Sequence, residues 1–171
     1  MAALPFFVKP IPFTAVNVGT ELSSNPGQNL SDFHYAGATW KTSSATPLYI
    51  SGDFGSAQTV DFVGMLAANA GAADVTQFWM NTTQMNGIGT GAAYTDGAYY
   101  FISPALTTRT LYNSHRELST PQTYRHFDFY ISSHTGYFEA AFLVVGKKIA
   151  PTRYYDNDYE RGFEDLSRFD L

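Results

Sequence analysis

The sequence predicts an all-β protein, an antiparallel β-sandwich with an extended arm at its N-terminus and a tail at its C-terminus. Aromatic residues make up 16% of the 171 residues and charged residues only 15%, a balance typical of pleated, half-buried strands. Apolar and polar residues also alternate with a period of two in several short runs that turn residues separate. A chain of this length can bury a sizeable core as one domain.

Residues 1–12 are predicted to form the extended arm. Three prolines stand among the apolar residues of this segment, and proline lacks the N–H that a strand ladder needs. The segment is therefore an arm or an edge strand, and its apolar side chains need a surface to lie on. The residues predicted to make assembly contacts here are Phe6, Phe7 and Val8.

Residues 13–151 are predicted to form the sandwich. Residues 137–145 are apolar on both faces, which predicts a strand in the middle of its sheet. Between residues 82 and 122 the alternation fades except at 97–103, and we expect an excursion out of the core, the kind of segment that often carries binding residues. The strands are predicted at residues 13–18, 39–43, 48–54, 59–66, 75–81, 125–132 and 137–145.

Residues 152–171 are predicted to form a docking tail. They contain six acidic residues, three arginines and five aromatic residues. Disordered segments are poor in aromatic residues, so this tail is expected to dock on a partner. The contacts predicted for it are Tyr154, Tyr155, Tyr159 and Phe163.

The composition excludes several classes of function. The formal charge is −5 and the ten Lys and Arg residues are spread over the chain, which argues against a nucleic-acid partner. Cysteine is absent, so there is no disulfide, thiolate metal site or Cys nucleophile. The longest nearly apolar stretch, residues 62–73, is too short to cross a bilayer, and the N-terminus lacks a signal-peptide pattern, so we expect no membrane insertion and no export.

The sequence shows no pattern of catalytic residues. The four histidines, at positions 34, 115, 126 and 134, match no zinc spacing. There is no Gly-x-Ser-x-Gly elbow and no pair of carboxylates in a suggestive context. We therefore expect no enzyme activity, no catalytic residue and no cofactor.

Three stretches, in the right order, resemble the galactose-binding-like, discoidin-type jelly roll, and more narrowly the tailed-phage virion proteins that carry it. Phe54 stands where the family usually has Leu, Phe142 where the phage proteins often have Arg, and residues 82–122 have no counterpart. The matching stretches are Pro26-Gly-Gln-Asn-Leu-Ser-Asp32 with Ala38-Thr-Trp-Lys-Thr42, residues 53–69, and residues 136–146 with Pro151 and residues 162–167.

The resemblance implies a structural component of a tailed-phage virion, an assembly or adaptor protein in the tail or tail tip. Its partners would be other virion structural proteins and copies of itself, and it would be made in the host cytoplasm before it enters the particle. An alternative is a carbohydrate-binding module that recognises a host surface glycan. A third interpretation is a capsid decoration protein.

The sequence contains two candidate ligand sites, of which only the calcium site is implied by the resemblance. Because the related loop binds calcium in some members of the fold, the oxygens of Asn29, Asp32 and Thr39 are weak calcium-ligand candidates, although a loop cap of the Asx-turn type is favoured. Trp79 is a candidate for stacking on a sugar, and Trp40 a weaker one. Packing in the core is favoured for both, since large aromatic side chains in sandwiches mostly pack.

Overall fold

The computed structural model describes residues 6–32, 38–43, 47–71, 73–100 and 112–149. The secondary structure of these residues is strand apart from one short 3-10 helix, Gly27–Ser31. The strands are β1 (Phe7–Pro10), β2 (Thr14–Val18), β3 (Trp40–Lys41), β4 (Leu48–Ala68), β5 (Val75–Asn81), β6 (Tyr94–Tyr100), β7 (Tyr112–Ser132), β8 (Glu139–Ala140) and β9 (Phe142–Ile149). None of the described segments is a helix long and apolar enough to span a bilayer.

The two longest strands, β4 and β7, pair with each other antiparallel along their whole length and bend together. The regular pairing breaks between Asp53 and Gln58 and again between Val60 and Phe62. On the N-terminal side of these breaks, β4 also pairs with β2. The part of β7 that lies opposite, residues 126–132, pairs with β5, and β5 pairs with β6. Beyond the break, β4 pairs with β9, which carries β1. Strands that change sheets at bulges or bends are one way to close a sandwich.

The result is the predicted antiparallel sandwich. One layer has the order β2-β4-β7-β5-β6 and the other β1-β9-β4-β7, with β4 and β7 shared between the layers. We call the end where β4 and β7 bend (residues 54–57 and 118–125) the bend end. The opposite end, where the described residues 19–32, 38–43, 69–71, 73–74 and 133–141 lie, is the loop end; there β3 and β8 form a small separate sheet.

The core is centred on Phe127, which is fully buried. Its ring lies 5.0 Å from that of Phe13, 5.2 Å from that of Phe54 and 5.8 Å from that of Phe78. On the paired strand stands Gly52, where an added Cβ would come within 2.2 Å of the Phe127 ring. The ring of Phe127 thus fills the space that a side chain at position 52 would need.

Trp40 is fully buried as well, which confirms the packing interpretation of this residue. Its indole lies 5.7 Å from the ring of Phe138, and its Nε1 donates a hydrogen bond to the backbone oxygen of Thr20 at 3.2 Å. Trp40 therefore closes the core at the loop end and pins the chain that follows β2.

A buried ion pair joins the two layers. Arg116 of β7 donates from Nε to a carboxylate oxygen of Asp96 on β6 and from Nη1 to Oγ1 of Thr76 on β5. The ring of Tyr99 lies 4.7 Å from the Arg116 guanidinium carbon. A charged side chain is placed inward here because acceptors on the opposite layer meet it.

The structure corrects the predicted excursion at 82–122. Residues 94–100 form β6 and residues 112–122 are the first half of β7, so of the described part only residues 82–93 leave the sheet. The alternation was hidden because the inward positions of early β7 include Ser114 and Arg116 beside Tyr112 and Leu118. The inward arginine has the polarity of a surface residue but lies between the layers.

The described residues include part of the predicted arm and none of the predicted tail. Residues 7–10 of the predicted arm form β1, an edge strand paired with β9, and residues 1–5 lie outside the described residues. β9 lies between β1 and β4, so the predicted central strand at 137–145 is confirmed for residues 142–145, whereas residues 139–140 form β8 in the small separate sheet. The predicted docking tail, residues 152–171 with Tyr154, Tyr155, Tyr159 and Phe163, lies wholly outside the described residues.

At the loop end, His134 ties two connecting segments together. Its Nδ1 lies 2.7 Å from Oδ2 of Asp74, and its Nε2 lies 3.1 Å from the backbone oxygen of Tyr137. The same Asp74 oxygen accepts a hydrogen bond from the N–H of Gly71 at 2.8 Å. The hydrogen bond with Asp74 raises the pKa of His134 above its ordinary value.

We predict that Gly52→Ala lowers the free energy of unfolding by about 1–3 kcal/mol, the usual cost of overpacking a core. The matched control is Gly97→Ala, since an added Cβ there meets only the ring of Tyr99, at 3.5 Å. Urea denaturation of both variants measures the effect. Equal midpoints for the two variants would contradict the packing described for Phe127.

We also predict a pH-dependent contribution from His134. Because its folded-state pKa is raised, its contribution to stability is complete below the ordinary value of 6.5 and is lost as the pH rises through the higher folded-state pKa. The wild-type advantage over His134→Gln in urea denaturation should therefore shrink as the pH is raised from 6.5 into the alkaline range. An advantage that stays constant over that range would refute the assignment.

Candidate functional site

A concavity in the described part of the chain lies at the bend end, between the segment that joins β1 to β2 and the bend of β4. We call it the bend cleft. Its volume is about 600 Å³, within the range of sites that bind small ligands. It is lined by Lys9, Pro10, Ile11, Pro12, Phe54, Ala57, Gln58, Thr59 and Lys147.

The bend of β4 forms one wall, and local hydrogen bonds hold its shape. Gly55 has a φ of +78°, a conformation that favours glycine. Its N–H donates to Oδ1 of Asp53 at 2.7 Å. Arg125 contacts the same carboxylate through Nε and Nη2 at 2.8 and 2.7 Å, and this pairing holds the pKa of Asp53 well below its usual range. The carboxylate thus fixes the turn that presents Phe54 to the cleft.

The other wall comes from β1 and β9. Lys9 and Lys147 are directly paired in the antiparallel register, and both side chains are exposed. After β1, the N–H of Ile11 donates to the backbone oxygen of Val145 at 2.9 Å, which holds the crossing segment against the second layer. Pro10 and Pro12 stand on either side of Ile11, and the ring of each proline locks its own φ at about −65°.

The cleft combines an apolar floor with a polar rim. Phe54 is half-buried, with one side of its ring towards Phe127. On the rim, Nε2 of Gln58 donates to Oγ of Ser56 at 3.0 Å, and Oγ1 of Thr59 lies 2.9 Å from Oγ1 of Thr123. Such a surface can pack against a C–H face while its amide, hydroxyl and ammonium groups meet polar substituents.

The calcium candidates lie at the loop end, and two of them are in contact. Nδ2 of Asn29 donates to the backbone oxygen of Thr39 at 2.9 Å. Oγ1 of Thr39 donates to Oε1 of Glu139 at 2.9 Å and accepts from Nδ2 of Asn25 at 3.2 Å. The N–H of Asp32 donates to the backbone oxygen of Asn29 and ends the 3-10 helix. These bonds fit the loop-cap interpretation.

A second possible metal site would be a cluster of ligating side chains elsewhere in the described residues. No group of three or more His, Cys, Asp or Glu side chains in the described ranges is arranged to hold a metal ion.

Trp79, the candidate for sugar stacking, lies beneath residues 82–93. Only 8% of it is exposed, and an added Cβ at Gly89 would come within 2.2 Å of its indole ring. The N–H groups of Gly87 and Gly89 donate to Oδ2 of Asp128 at 2.8 and 3.1 Å, which holds the segment on the outer face of the sheet. Trp79 therefore packs, as the favoured interpretation predicts, and stacking on a sugar would require this segment to move.

The predicted assembly residues of the arm fall into two groups. Phe6 and Val8 are half-buried, and the Phe6 ring lies 6.0 Å from that of Phe62 on the outer face of the second layer. Phe7 is 58% exposed. Its register partner on β9 is Ile149, which is 52% exposed. The two form an exposed apolar pair on an edge strand, continuous in register with Lys9 and Lys147.

Sequence reasoning missed the bend cleft. Its residues come from segments that are separate in the sequence, and the pairing of Lys9 with Lys147 exists only in the register of β1 on β9. One local signal was available at Phe54, an aromatic residue where the resemblance expects Leu, next to a glycine turn. Nothing in the sequence connects that turn to the two lysines.

No protein-family model and no curated protein matches the chain. Solved structures do match. The family 32 carbohydrate-binding module of C. perfringens NanJ in complex with galactose has a TM-score of 0.62 at 16% identity, over 82% of this chain and 100% of that one. A Clostridium perfringens module in complex with GalNAc-β-1,3-galactose has 0.61 at 12% identity, over 81% and 100%.

A chain in the complex of reduced XRCC1 with the catalytic domain of DNA polymerase β has a TM-score of 0.59 at 14% identity, over 84% of this chain and 99% of that one. The shared architecture thus serves sugar binding in some proteins and is present in a protein–protein complex in another. At these identities the likeness concerns the fold, and it confirms the predicted class. The chain has the antiparallel jelly-roll fold that is also found in these family 32 carbohydrate-binding modules.

Proposed function

We propose that the protein is a carbohydrate-binding domain without catalytic activity, and that the bend cleft holds the saccharide. The observation that carries this proposal is the composition of the cleft, an aromatic and proline-rich floor beside an amide, a hydroxyl and two ammonium groups. The similarity to modules solved with galactose and with GalNAc-β-1,3-galactose supports it.

A saccharide presents C–H groups on a ring face and hydroxyl groups around its edge. The ring of Phe54 and the prolines supply apolar surface for the first, and the side chains of Gln58 and Thr59 supply donors and acceptors for the second. Because the floor is anchored on Phe127 and the rim residues already hold hydrogen bonds within the bend, the site needs little ordering when a ligand binds.

The absence of catalysis is part of the proposal. Glycoside hydrolysis uses a pair of carboxylates on either side of the scissile bond, and the described residues that line the bend cleft include no Asp or Glu. Nearby, Asp53 is engaged by Arg125 and by the N–H of Gly55. The chemistry present in the cleft is suited to holding a ligand.

A second candidate is the assembly role in a tailed-phage particle, in the tail or tail tip or as a capsid decoration protein. The specific observation in its favour is the exposed pair Phe7 and Ile149 on the edge strand β1. An edge strand with exposed apolar side chains is a surface on which another chain can add. Copies of the protein and other virion proteins are the proposed partners, and the virion is the proposed location.

The binding proposal predicts that the purified full chain is retarded by at least one immobilised glycan in affinity electrophoresis. Gln58→Ala should weaken that binding about fivefold, the effect of losing one hydrogen bond of about 1 kcal/mol. Gln77→Ala, a half-buried glutamine on β5 away from the cleft, is the matched control. A chain that binds no glycan of any kind rejects the proposal.

The assembly proposal predicts that Phe7→Ser combined with Ile149→Ser lowers self-association in sedimentation velocity experiments. Ile88→Ser provides the control, because Ile88 is similarly exposed, at 51%, but stands in the segment over Trp79. Identical sedimentation of the double variant, the control and the wild type, together with unchanged entry into particles, would argue against this role.

A further inference from the structure

We infer that the bend cleft selects an anionic saccharide, carboxylated or sulfated, whose acidic group lies between Lys9 and Lys147. This inference rests on the proposed carbohydrate-binding function and names the class of its ligand. Three observations carry it: the distribution of ion pairs, the register of the two lysines, and the contrast with Lys148.

The first observation is that the positive charges of the described residues divide sharply. Six Lys and Arg residues are described, and four of them hold an acidic partner. The two without an ion pair among the described residues both line the bend cleft. The four pairs are Lys41 with Glu139, Arg116 with Asp96, Arg125 with Asp53 and Lys148 with Glu117. The chain as a whole carries a charge of −5, so acidic partners are not scarce.

The second observation is the register. Lys9 and Lys147 are directly opposite on antiparallel strands, where side chains are neighbours. Two like charges in that position repel each other and destabilise the pairing. An anion between the two ammonium groups removes the repulsion and replaces it with two charge-assisted hydrogen bonds.

The third observation is the contrast one residue further along β9. The side chain of Lys148 lies on the opposite face of β9, where its ammonium group contacts Glu117. Its backbone N–H donates to Oδ1 of Asp61 at 2.6 Å. Of these two neighbouring lysines on β9, Lys148 has an acidic partner on the outer face, whereas Lys147 has none among the described residues on the cleft face. The open pair therefore marks the cleft as a place for negative charge.

Anionic groups on sugars are commonly carboxylates or sulfates, and two point charges on flexible stems suit either one. The floor formed by Phe54 and the prolines accepts the uncharged part of the ligand. Because both lysines are exposed, their attraction is screened by salt. The selectivity should accordingly be strong at low ionic strength and weaken as salt is added.

The test uses the full chain and pairs of probes that share a sugar backbone, one probe of each pair carrying acidic groups and the other none. Alginate oligosaccharides are compared with the same oligosaccharides after methyl esterification, and dextran sulfate with dextran, by isothermal titration at low and high salt. The wild type is expected to bind at least one acidic probe on the order of tenfold more tightly than its neutral partner, with a smaller ratio at high salt. The two acidic probes distinguish a carboxylate from a sulfate.

Lys9→Gln combined with Lys147→Gln should abolish this preference, so that the double variant binds the acidic and the neutral probe of each pair equally. Lys148→Gln removes the same charge one residue away and should keep the preference. The double variant should unfold at the wild-type temperature or above it, since a repulsion is removed. A preference that survives in the double variant, or a wild type that binds acidic and neutral probes equally, overturns the inference and leaves the proposed function in place. If no saccharide of either kind binds, the proposed function itself fails.

Discussion

The pairing of β4 with β7 through their shared bend is the constraint on which the rest of the structure depends. Both strands belong to two layers, so the register that sets Gly52 opposite Phe127 in one layer also sets Phe62 and Leu66 opposite β9 in the other. The bend would splay if the space over Gly52 were filled, because the Phe127 ring occupies it. The bend cleft exists because the chain must turn at this point and because the segment before β2 crosses from one layer to the other beside it.

Much of the fold follows from local sequence patterns, and the exceptions have physical causes. Alternation predicts β5 and the second half of β7, residues 125–132, because most of their inward positions are apolar. The prediction that Trp40 packs in the core is also confirmed. Early β7 escaped detection because Arg116 faces inward, and its partners Asp96 and Thr76 come from other strands. A one-dimensional pattern reports the polarity of a residue but cannot report which acceptors will meet it. The bent strand β4 was likewise read as two strands, since Gly55 marks a turn in the sequence and the pairing partners carry the strand through it.

The candidate site was less accessible to sequence reasoning than the fold. Its two lysines are adjacent only through the register of β1 on β9, and neither of them lies in a stretch that resembles known proteins. This fits the comparisons, in which chains with 12% and 16% identity share the architecture with TM-scores of 0.61 and 0.62. Alternation, a bend and a filled core are enough to specify the sandwich, whereas the groups that line a cleft are free to vary from protein to protein.

Two of the hydrogen bonds that hold residues 82–93 on the outer face of the sheet go to one carboxylate. Oδ2 of Asp128 accepts the N–H groups of both Gly87 and Gly89, and those two glycines lie directly on Tyr49 and Trp79. A substitution at position 128 that removes the carboxylate would therefore break both of these hydrogen bonds at once and weaken the cover over the two aromatic rings.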